Sequence, residues 1–577
     1  MLLSSLCLLS ALCVAPQDTP AELSTPATNE ASVLDPAALR PQRLLVHGGR
    51  IYLGNENGGV VEAMLIEDGR VLSSGPLSSL DVNLEEPGLS VIDLRGAVAV
   101  PGLQDSHANM EQLGAIGELV DLRGTESFDE VIARVAEAAK AVEVGTWIEG
   151  WGWDEADWAS SAPVHHAALS DAVRSHPVLL HRIDRDAVLV NHFVLAAASL
   201  DEGANVHQRI PGGVLVLDEE NKASGLFLGN AQRLVTSRRP ALELARVEKR
   251  LLAAQEEFLS LGVTCVHDIG VRPQAIRAYL GLRERGLLKI RVVAYLDGND
   301  GFNNDVFGGM PYPKDSLDML QVTGVSFRLD GSLVSRSAAL LQDYSDRPGK
   351  RGRLFLTEKE VTNLVHRAWQ AGLQPAIGAV GDAANRVALD AYSGMLQVDE
   401  GFANLRPRIE HVELISPRDF ERFPELGVTP SMQPLRRELN AEVLLERLGE
   451  YRVQGAQTWR NQAPGWMQMA HGSNSPANSP NPLVGMFAAR TERTAEPFAV
   501  ADGALTAPDT SGLEALAAHT RGPAYASHQE EHRGQLLPGF WADMTVFDKD
   551  PVEGPPADMQ KAKVLLTMIN GAIAYRE

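Results

Sequence analysis

The stretch Val100-Pro101-Gly102-Leu103-Gln104-Asp105-Ser106-His107 separates two parts of the sequence that differ in their pattern of apolar residues. Before it, short β-prone runs are separated by turn residues, which is typical of antiparallel strands. After it, helical stretches alternate with short apolar runs, which favours parallel strands joined by right-handed helical crossovers. The Pro-Gly pair therefore marks the junction between a β domain and an α/β domain.

The α/β part, residues 101–525, is long enough for a (β/α)₈ TIM barrel that carries insertions. Its candidate helices span 128–142, 243–261 and 358–371, and its apolar runs span 177–180, 263–266, 290–294 and 375–379. We predict a distorted barrel of this kind. A doubly wound open sheet is the alternative, although no glycine-rich nucleotide-binding fingerprint follows an early strand.

Both ends of the chain contain β-prone runs with hairpin signals. The pair Asp68-Gly69 lies between such runs in residues 42–100, and the pair Asn570-Gly571 does so in residues 526–577. Pairs of this type favour two-residue hairpin turns. Neither end has enough strands for a stable sheet of its own. We therefore predict that the two ends together form one small composite β-sandwich domain.

The N-terminus has the features of an export signal followed by a spacer. Residues 1–15 form an apolar run that is too short to span a bilayer but suits the core of a signal peptide. Residues 16–41, rich in Pro, Ala, Thr and Asp, are typical of a flexible spacer. We expect a secreted or periplasmic protein whose mature chain keeps only Cys265, which excludes a disulfide framework and a thiolate zinc site.

The composition is that of a soluble globular protein and excludes some partners. Of 577 residues, 44% are hydrophobic and 22% are charged, and the net charge is −23. Such an acidic chain lacks the basic face that a nucleic acid or an anionic membrane surface requires. No serine nucleophile elbow, His-Glu-x-x-His motif or phosphate-binding loop is present, which sets those chemistries aside. A small-molecule ligand or substrate is compatible with the sequence. The oligomeric state is not indicated.

Short motifs follow one another in a fixed order along almost the whole chain. Besides the stretch quoted above, they are Trp147-Ile148-Glu149-Gly150-Trp151-Gly152-Trp153-Asp154, Arg182-Ile183-Asp184, Gly262-Val263-Thr264, Leu329-Asp330-Gly331-Ser332-Leu333-Val334-Ser335-Arg336, Arg408-Ile409-Glu410-His411, Asn481-Pro482-Leu483 and Gly534-Gln535-Leu536-Leu537-Pro538-Gly539-Phe540-Trp541-Ala542-Asp543. Their order resembles the amidohydrolase superfamily, and within it the amidohydrolase 3 family, whose members include N-substituted formamide deformylases. The resemblance implies metal-dependent hydrolysis of non-peptide carbon–nitrogen bonds at the C-terminal mouth of the barrel.

The resemblance also implies which positions hold the catalytic groups. In the family, histidines and a carboxylated lysine bind one or two divalent metals, and an aspartate transfers a proton. His107 and His411 match two of the histidines, whereas Asn109 and Gly378 stand in place of histidines, Ser326 in place of the lysine and Asn474 in place of the aspartate. We predict that His107 and His411 are remnants of a degenerate metal site. Zinc or another divalent metal is expected only if this site still functions.

A small error in the alignment of these positions would not restore the missing groups. The segments between Lys314 and Lys350, between His366 and His411, and between Asp419 and Asp502 contain no lysine, no histidine and no aspartate, respectively. Four of the six positions have therefore lost the residue type that the chemistry requires.

Four further residues are candidates for a pocket: Trp151, Trp153, Asp186 and Asp382. Asp186 lies where the family often has a histidine near the substrate, and it belongs either to a solvated loop or to a rebuilt polar site with His107 and His411. The two tryptophans either line a pocket or pack in a core.

Three functional hypotheses are therefore open. The first is a catalytically impaired amidohydrolase, a pseudoenzyme that acts as a binding or scaffolding protein. The second is an active amidohydrolase with a rebuilt or mononuclear site. The third is an exported small-molecule binding protein that uses the tryptophan-rich neighbourhood. No cofactor is predicted for the first or the third.

Overall fold

The computed structural model describes residues 41–159, 164–200, 210, 212–299, 316–453, 456, 469–490, 510–559 and 561–577. The predicted signal peptide and, apart from Pro41, the predicted spacer lie outside these ranges. Within them, no helix is both long and apolar enough to cross a membrane.

The strands of the described residues fall into three sheets. They are β1 (Arg43–Tyr52), β2 (Val60–Glu67), β3 (Arg70–Gly75), β4 (Leu89–Asp93), β5 (Val98–Pro101), β6 (Leu103–Ala108), β7 (Val120–Asp121), β8 (Ile148–Trp153), β9 (Val178–Arg182), β10 (Ala187–Val190), β11 (Gly213–Leu217), β12 (Ala223–Gly229), β13 (Val263–Val271), β14 (Arg291–Asp297), β15 (Leu320–Arg328), β16 (Gln374–Ala379), β17 (Arg408–His411), β18 (Thr429–Met432), β19 (Ala470–His471), β20 (Met544–Phe547), β21 (Val564–Ile569) and β22 (Ala572–Arg576).

The α-helices lie mainly between the barrel strands. Their bounds are Met110–Gly114, Phe128–Ala139, His166–Ala172, His192–Ala197, Arg233–Thr236, Leu244–Ser260, Pro273–Glu284, Glu358–Gln370, Asp382–Val398, Arg422–Glu425, Pro434–Val453, Pro482–Arg490, Gly512–Ala518, Arg521–Ala526 and Pro556–Met559. The three helices predicted from the sequence are among them, with ends that agree to within three residues.

The two ends of the chain share one eight-stranded sheet, in the order β22-β21-β20-β5-β1-β2-β3 with β4 paired to β1. The N- and C-terminal parts meet where β5 pairs antiparallel with β20. Both predicted hairpins are present, and their turn residues have the positive φ angles that such turns need: 48° and 78° at Asp68-Gly69, and 53° and 72° at Asn570-Gly571. The predicted composite β domain is thus confirmed.

Eight parallel strands form the barrel, in the order β6-β13-β14-β15-β16-β17-β18-β19. Backbone hydrogen bonds close the ring just beyond the first and last strands. The His107 carbonyl accepts from Asn474 N at 2.7 Å, and the Ser475 carbonyl accepts from Asn109 N at 2.9 Å. Apolar side chains of the strands and of the surrounding helices form one continuous core. The prediction of a distorted (β/α)₈ barrel is confirmed.

A separate six-stranded sheet, ordered β11-β12-β10-β9-β8-β7, is inserted between β6 and β13. The apolar run 177–180 was expected among the strands of the main α/β sheet, but it lies in β9 of this insertion. A short, fully buried apolar run looks the same in any parallel sheet, so its sequence does not show which sheet it joins. The tryptophan-rich motif also lies in the insertion, on β8.

A buried ion pair joins the composite β domain to the barrel. Arg291 at the start of β14 is fully buried, and its Nε and Nη2 donate to the two carboxylate oxygens of Asp543 at 2.6 and 2.9 Å. Asp543 Oδ1 also accepts a hydrogen bond from Asn570 N at 2.9 Å. Asp543 therefore connects a barrel strand, the segment before β20 and the last hairpin.

We predict that Asp543→Asn lowers the free energy of unfolding by about 3 kcal/mol, because it leaves the buried Arg291 cation without a counter-charge. Urea unfolding followed by circular dichroism measures the change. Asp171→Asn is the matched control, since Asp171 and Arg174 form an exposed pair whose loss costs less than about 1 kcal/mol. Equal effects of the two substitutions would contradict the role given to Asp543.

Candidate functional site

A cavity of about 280 Å³ opens at the C-terminal mouth of the barrel. The six positions that the family resemblance singled out all line it: His107, Asn109, Ser326, Gly378, His411 and Asn474. They come from different strands, namely β6, β15, β16 and β17, and from the segment after β19. In parallel barrels the strand ends converge at this mouth, so residues far apart in sequence share one cavity.

His107 is held by a buried carboxylate. Its Nδ1 lies 2.7 Å from Glu410 Oε2, and Glu410 is 1% exposed. Burial alone would raise the pKa of Glu410, but the Arg408 charge and the His107 contact lower this pKa to about 2. Glu410 is therefore a carboxylate that accepts a hydrogen bond from His107 Nδ1.

Arg408 supports this carboxylate from within the barrel. Its Nε lies 2.8 Å from Glu410 Oε1, and both side chains are almost completely buried. Its Nη1 donates to Tyr295 Oη and to His267 Nδ1, both at 2.8 Å, and its Nη2 donates to the Ser106 carbonyl at 2.9 Å. Three other barrel strands are thus connected to β17 through one guanidinium.

His411 is a neutral imidazole. Its Nδ1 donates to Gln433 Oε1 at 2.8 Å, which leaves the lone pair on Nε2. Burial, with the nearby charges of His107 and Arg436, lowers the pKa of His411 well below its ordinary value. The rings of His107 and His411 are 4.7 Å apart between centroids. The two histidines that the sequence identified are thus brought together.

The side chains at two of the four substituted positions have ordinary structural roles. Asn109 caps the helix Met110–Gly114, because its Oδ1 accepts from Gln112 N at 2.8 Å, and its Nδ2 donates to the Ile269 carbonyl at 3.1 Å. Ser326 Oγ donates to the Leu296 carbonyl at 3.3 Å. Hydrogen bonds within the protein therefore account for the orientation of both side chains.

Of the other two positions, Gly378 leaves space in the cavity and Asn474 has a neutral amide side chain. A Cβ atom built on Gly378 would lie 3.5 Å from the Phe327 carbonyl oxygen and 3.7 Å from His411 Cδ2, which is ordinary contact. A Cβ atom could therefore be accommodated there. Asn474 has a left-handed backbone with φ of 59°, and its amide cannot accept a proton at neutral pH.

The donor set does not fit the metal centre that the family resemblance implies. Catalytic zinc sites use three protein ligands, whereas this cavity offers two imidazoles, and the Glu410 carboxylate faces His107 and Arg408. Within the described ranges, no group of three or more His, Cys, Asp or Glu side chains is placed to hold a metal ion. We therefore derive no chemical step through a metal here.

The four further pocket candidates lie outside the cavity lining. Asp186, 1% exposed, faces Arg328 at 3.3 Å and Arg353 at 3.7 Å, so it belongs to neither a solvated loop nor a site with the two histidines. Asp382 accepts from Leu341 N at 2.9 Å at the start of its helix.

The two tryptophans are buried in or beside the inserted sheet. Trp153 packs in the core of that sheet, 5.8 Å from the Trp158 ring. Trp151 is buried, with the guanidinium groups of Arg123 and Arg185 at 5.3 and 5.6 Å from its ring. Both are packing residues, although Trp151 contacts a residue of the cavity wall.

The sequence did not assign roles to several residues of the site, above all Arg408, Glu410 and the cavity arginines Arg185, Arg328 and Arg436. One pattern could have pointed to the first two. Arg408 and Glu410 alternate in a short strand, so they share one face, and charged residues are rarely buried unless they are paired. For the arginines, no comparable pattern exists in the sequence.

The sequence matches the model of the amidohydrolase family over residues 90–575. It is 28% identical over 549 residues to protein LONG AFTER FAR-RED 3 of Arabidopsis thaliana, covering 92% of this chain and 91% of that protein. It is 22% identical over 549 residues to N-substituted formamide deformylase of Arthrobacter pascens, covering 92% and 98%. Among solved structures, an uncharacterized metal-dependent hydrolase of Pyrococcus horikoshii OT3 superposes with a TM-score of 0.71 at 26% identity, covering 89% of this chain and 99% of that one.

We predict that His411 makes stability depend on pH. The folded protein holds this imidazole neutral, so below its ordinary pKa of about 6.5 the unfolded chain binds more protons. The free energy of unfolding therefore falls as the pH decreases, and the contribution of His411 amounts to about 1 kcal/mol between about pH 7.5 and 5.5. Urea unfolding at both pH values should show a smaller decrease for His411→Gln than for the native protein.

The same two proteins provide the control at higher pH. Between about pH 7.5 and 9 the imidazole is neutral in both states, and the substitution should not change the pH dependence there. An unchanged decrease below pH 7.5 in His411→Gln would show that His411 is not held neutral.

Proposed function

The chain belongs to the amidohydrolase family, and we propose that it is a member that binds a small molecule at the barrel mouth without metal-dependent hydrolysis. The proposal rests on the residue types at six positions that line the barrel-mouth cavity. All six positions of the family's catalytic apparatus face one cavity, and only His107 and His411 keep the residue type that metal binding requires. The four other positions have lost it in the same cavity.

Metal-dependent hydrolysis of the kind that the family performs needs two groups that this cavity lacks. The first is a group that activates water, which two imidazoles without a third ligand do not supply through a metal. The second is a proton donor for the leaving nitrogen, and the amide of Asn474 cannot accept a proton and then donate it. The cavity itself is retained, and about 280 Å³ is enough for a small ligand.

The lining of the cavity supports a binding role. Asn109 and Asn474, with the hydroxyl of Ser326, are neutral hydrogen-bonding groups, and Arg185, Arg328 and Arg436 add positive charge. Ligand sites generally combine a concave shape with a small number of such polar groups. The family's hydrolytic mouth would thus have become a polar binding site.

A second candidate function is hydrolysis of a non-peptide carbon–nitrogen bond with His107 as a metal-free general base. The contact between Glu410 and His107 Nδ1 at 2.7 Å favours it, because a carboxylate in this position orients the imidazole and stabilises its protonated form. His107 Nε2 could then accept a proton from water. The missing group is again an acid near the leaving nitrogen.

The proposal predicts that the purified protein contains substoichiometric zinc, manganese and iron and does not hydrolyse N-substituted formamides or simple amides. Elemental analysis and product assays measure both. Stoichiometric metal, with turnover lost in His107→Ala and in His411→Ala, would overturn the proposal. Turnover without metal that is lost in His107→Ala would instead support the second candidate.

A restoration experiment tests whether the four substitutions are the reason. The variant Asn109→His/Ser326→Lys/Gly378→His/Asn474→Asp should bind zinc, since it restores the ligand types and a Cβ atom at Gly378 makes only ordinary contacts. The matched control carries the same changes together with His411→Ala and should bind less. Loss of the Asn109 helix cap costs about 1 kcal/mol, which a folded protein can tolerate. No gain of metal in the folded variant would contradict the explanation.

A further inference from the structure

A second cavity of about 700 Å³ lies beside the barrel mouth and shares part of its wall. Residues from the barrel and from the inserted sheet and its neighbouring helix line it. The residues that line both cavities are Asn109, Gln112, Arg185, Gly270 and Asp297. One end of a molecule bound in the barrel mouth would therefore contact these shared residues.

Arg185 differs from the other arginines of these cavities. Five of those have a carboxylate partner: Arg239 with Glu149, Arg250 with Glu118, Arg272 with Glu111, Arg328 with Asp186 and Arg436 with Glu413. The sixth, Arg233, donates to the Asn299 carbonyl. Among the described residues, Arg185 has no carboxylate within ion-pair distance, and its buried Nε has no hydrogen-bond acceptor.

The protein fixes Arg185 in place despite this lack of a partner. Its backbone has a left-handed conformation with φ of 57°, which is unfavourable for a residue with a side chain. The Arg185 carbonyl accepts from Gln232 Nε2 at 3.1 Å, and the guanidinium lies 5.6 Å from the centre of the Trp151 ring. A half-buried cation in a left-handed backbone conformation without a carboxylate partner is costly to the fold.

The charges around Arg185 leave its environment positive. Burial, together with the charge of Arg239, lowers the pKa of Arg185 to about 10, so the guanidinium is still charged at neutral pH. Burial and the same two arginines lower the pKa of His181 well below its ordinary value, so this neighbour is neutral. No acidic group raises the pKa of Arg185.

The acidic side chains that line the second cavity have other partners. Glu149 and Glu111 pair with the arginines named above, Asp268 accepts from Tyr279 Oη at 2.6 Å and from Met110 N at 3.0 Å, and Asp297 accepts from Asn299 N at 2.9 Å. The shared wall therefore lacks a carboxylate that neutralises Arg185.

We propose that Arg185 binds the anionic group, a carboxylate or a phosphate, of a small molecule whose uncharged part occupies the barrel-mouth cavity. The inference rests on the proposed binding role of that mouth and adds the chemical class of its ligand. A guanidinium forms two parallel hydrogen bonds to either anion, and these bonds are strong where water is excluded. The ligand thus supplies the counter-charge that the described part of the chain does not.

Three small probes test the proposal on the full-length protein. N-acetylglycine carries a carboxylate, N-acetylglycinamide is its neutral analogue, and inorganic phosphate is the alternative anion. Tryptophan fluorescence reports binding because Trp151 lies against Arg185, and Trp151→Phe should lose most of the response. Thermal unfolding gives a second readout. We expect an anion to bind and the neutral amide not to bind at the same concentration.

Comparing the two anions shows whether the anionic group of the ligand is a carboxylate or a phosphate. A response to N-acetylglycine alone indicates a carboxylate ligand, and a response to phosphate alone indicates a phosphate ligand. Equally strong binding of N-acetylglycine and its amide, or no response to either anion, would overturn the proposal.

Substitutions of Arg185 supply the decisive comparison. Arg185→Gln should weaken anion binding about tenfold or more, while the midpoint of thermal unfolding without ligand stays the same or rises. Arg185→Lys keeps the charge and should still prefer the anion over the amide, with lower affinity, and it serves if the first variant does not fold. Arg272→Gln, which changes a paired arginine of the same cavity, is the matched control and should leave binding within about twofold.

Failure of this inference is distinguishable from failure of the proposed function. Unchanged anion binding in Arg185→Gln would overturn the role of Arg185 and leave the metal and turnover results untouched. Stoichiometric metal with turnover would overturn the proposed function, while Arg185-dependent anion binding would still identify the charged end of the substrate.

Discussion

The buried ion pair between Arg408 and Glu410 is the interaction on which the barrel mouth depends. Both residues lie on β17 and are 0% and 1% exposed at the side chain. Removing one partner of such a pair generally costs about 3–5 kcal/mol, because the other charge is left uncompensated. Arg408 also bonds to residues of β6, β13 and β14, and Glu410 orients His107. The arrangement of the strand ends and the direction of one imidazole thus depend on the same two charges.

Under the proposed function, this pair accounts for a mouth that keeps its shape without a full set of metal ligands. The positions at Asn109, Ser326, Gly378 and Asn474 could change without disturbing the ion pair, because none of these side chains contacts it through a hydrogen bond. The ion pair of Arg408 and Glu410 helps to maintain the cavity, and so does the hydrogen bond between Gln433 and His411. The lining combines the two histidines with neutral polar groups and arginines.

The sequence predicted those parts of the structure that have a local pattern or a fixed order. The Asp68-Gly69 and Asn570-Gly571 turns were identifiable because only a few residue pairs tolerate their backbone angles. The inserted sheet was not predicted, because the buried run 177–180 has the composition of a barrel strand. The pairing of Asp186 with Arg328, and the lack of a carboxylate partner for Arg185 among the described residues, depend on which loops meet at the mouth, and nothing in the local sequence encodes that.

The central claim is that the barrel mouth binds a ligand without a metal. Anomalous diffraction from crystals of the full-length protein grown with excess zinc tests it directly, since the zinc signal locates any bound ion. We predict no anomalous peak within coordination distance of both His107 Nε2 and His411 Nε2. A strong peak at that position, with a third protein ligand, would contradict the claim.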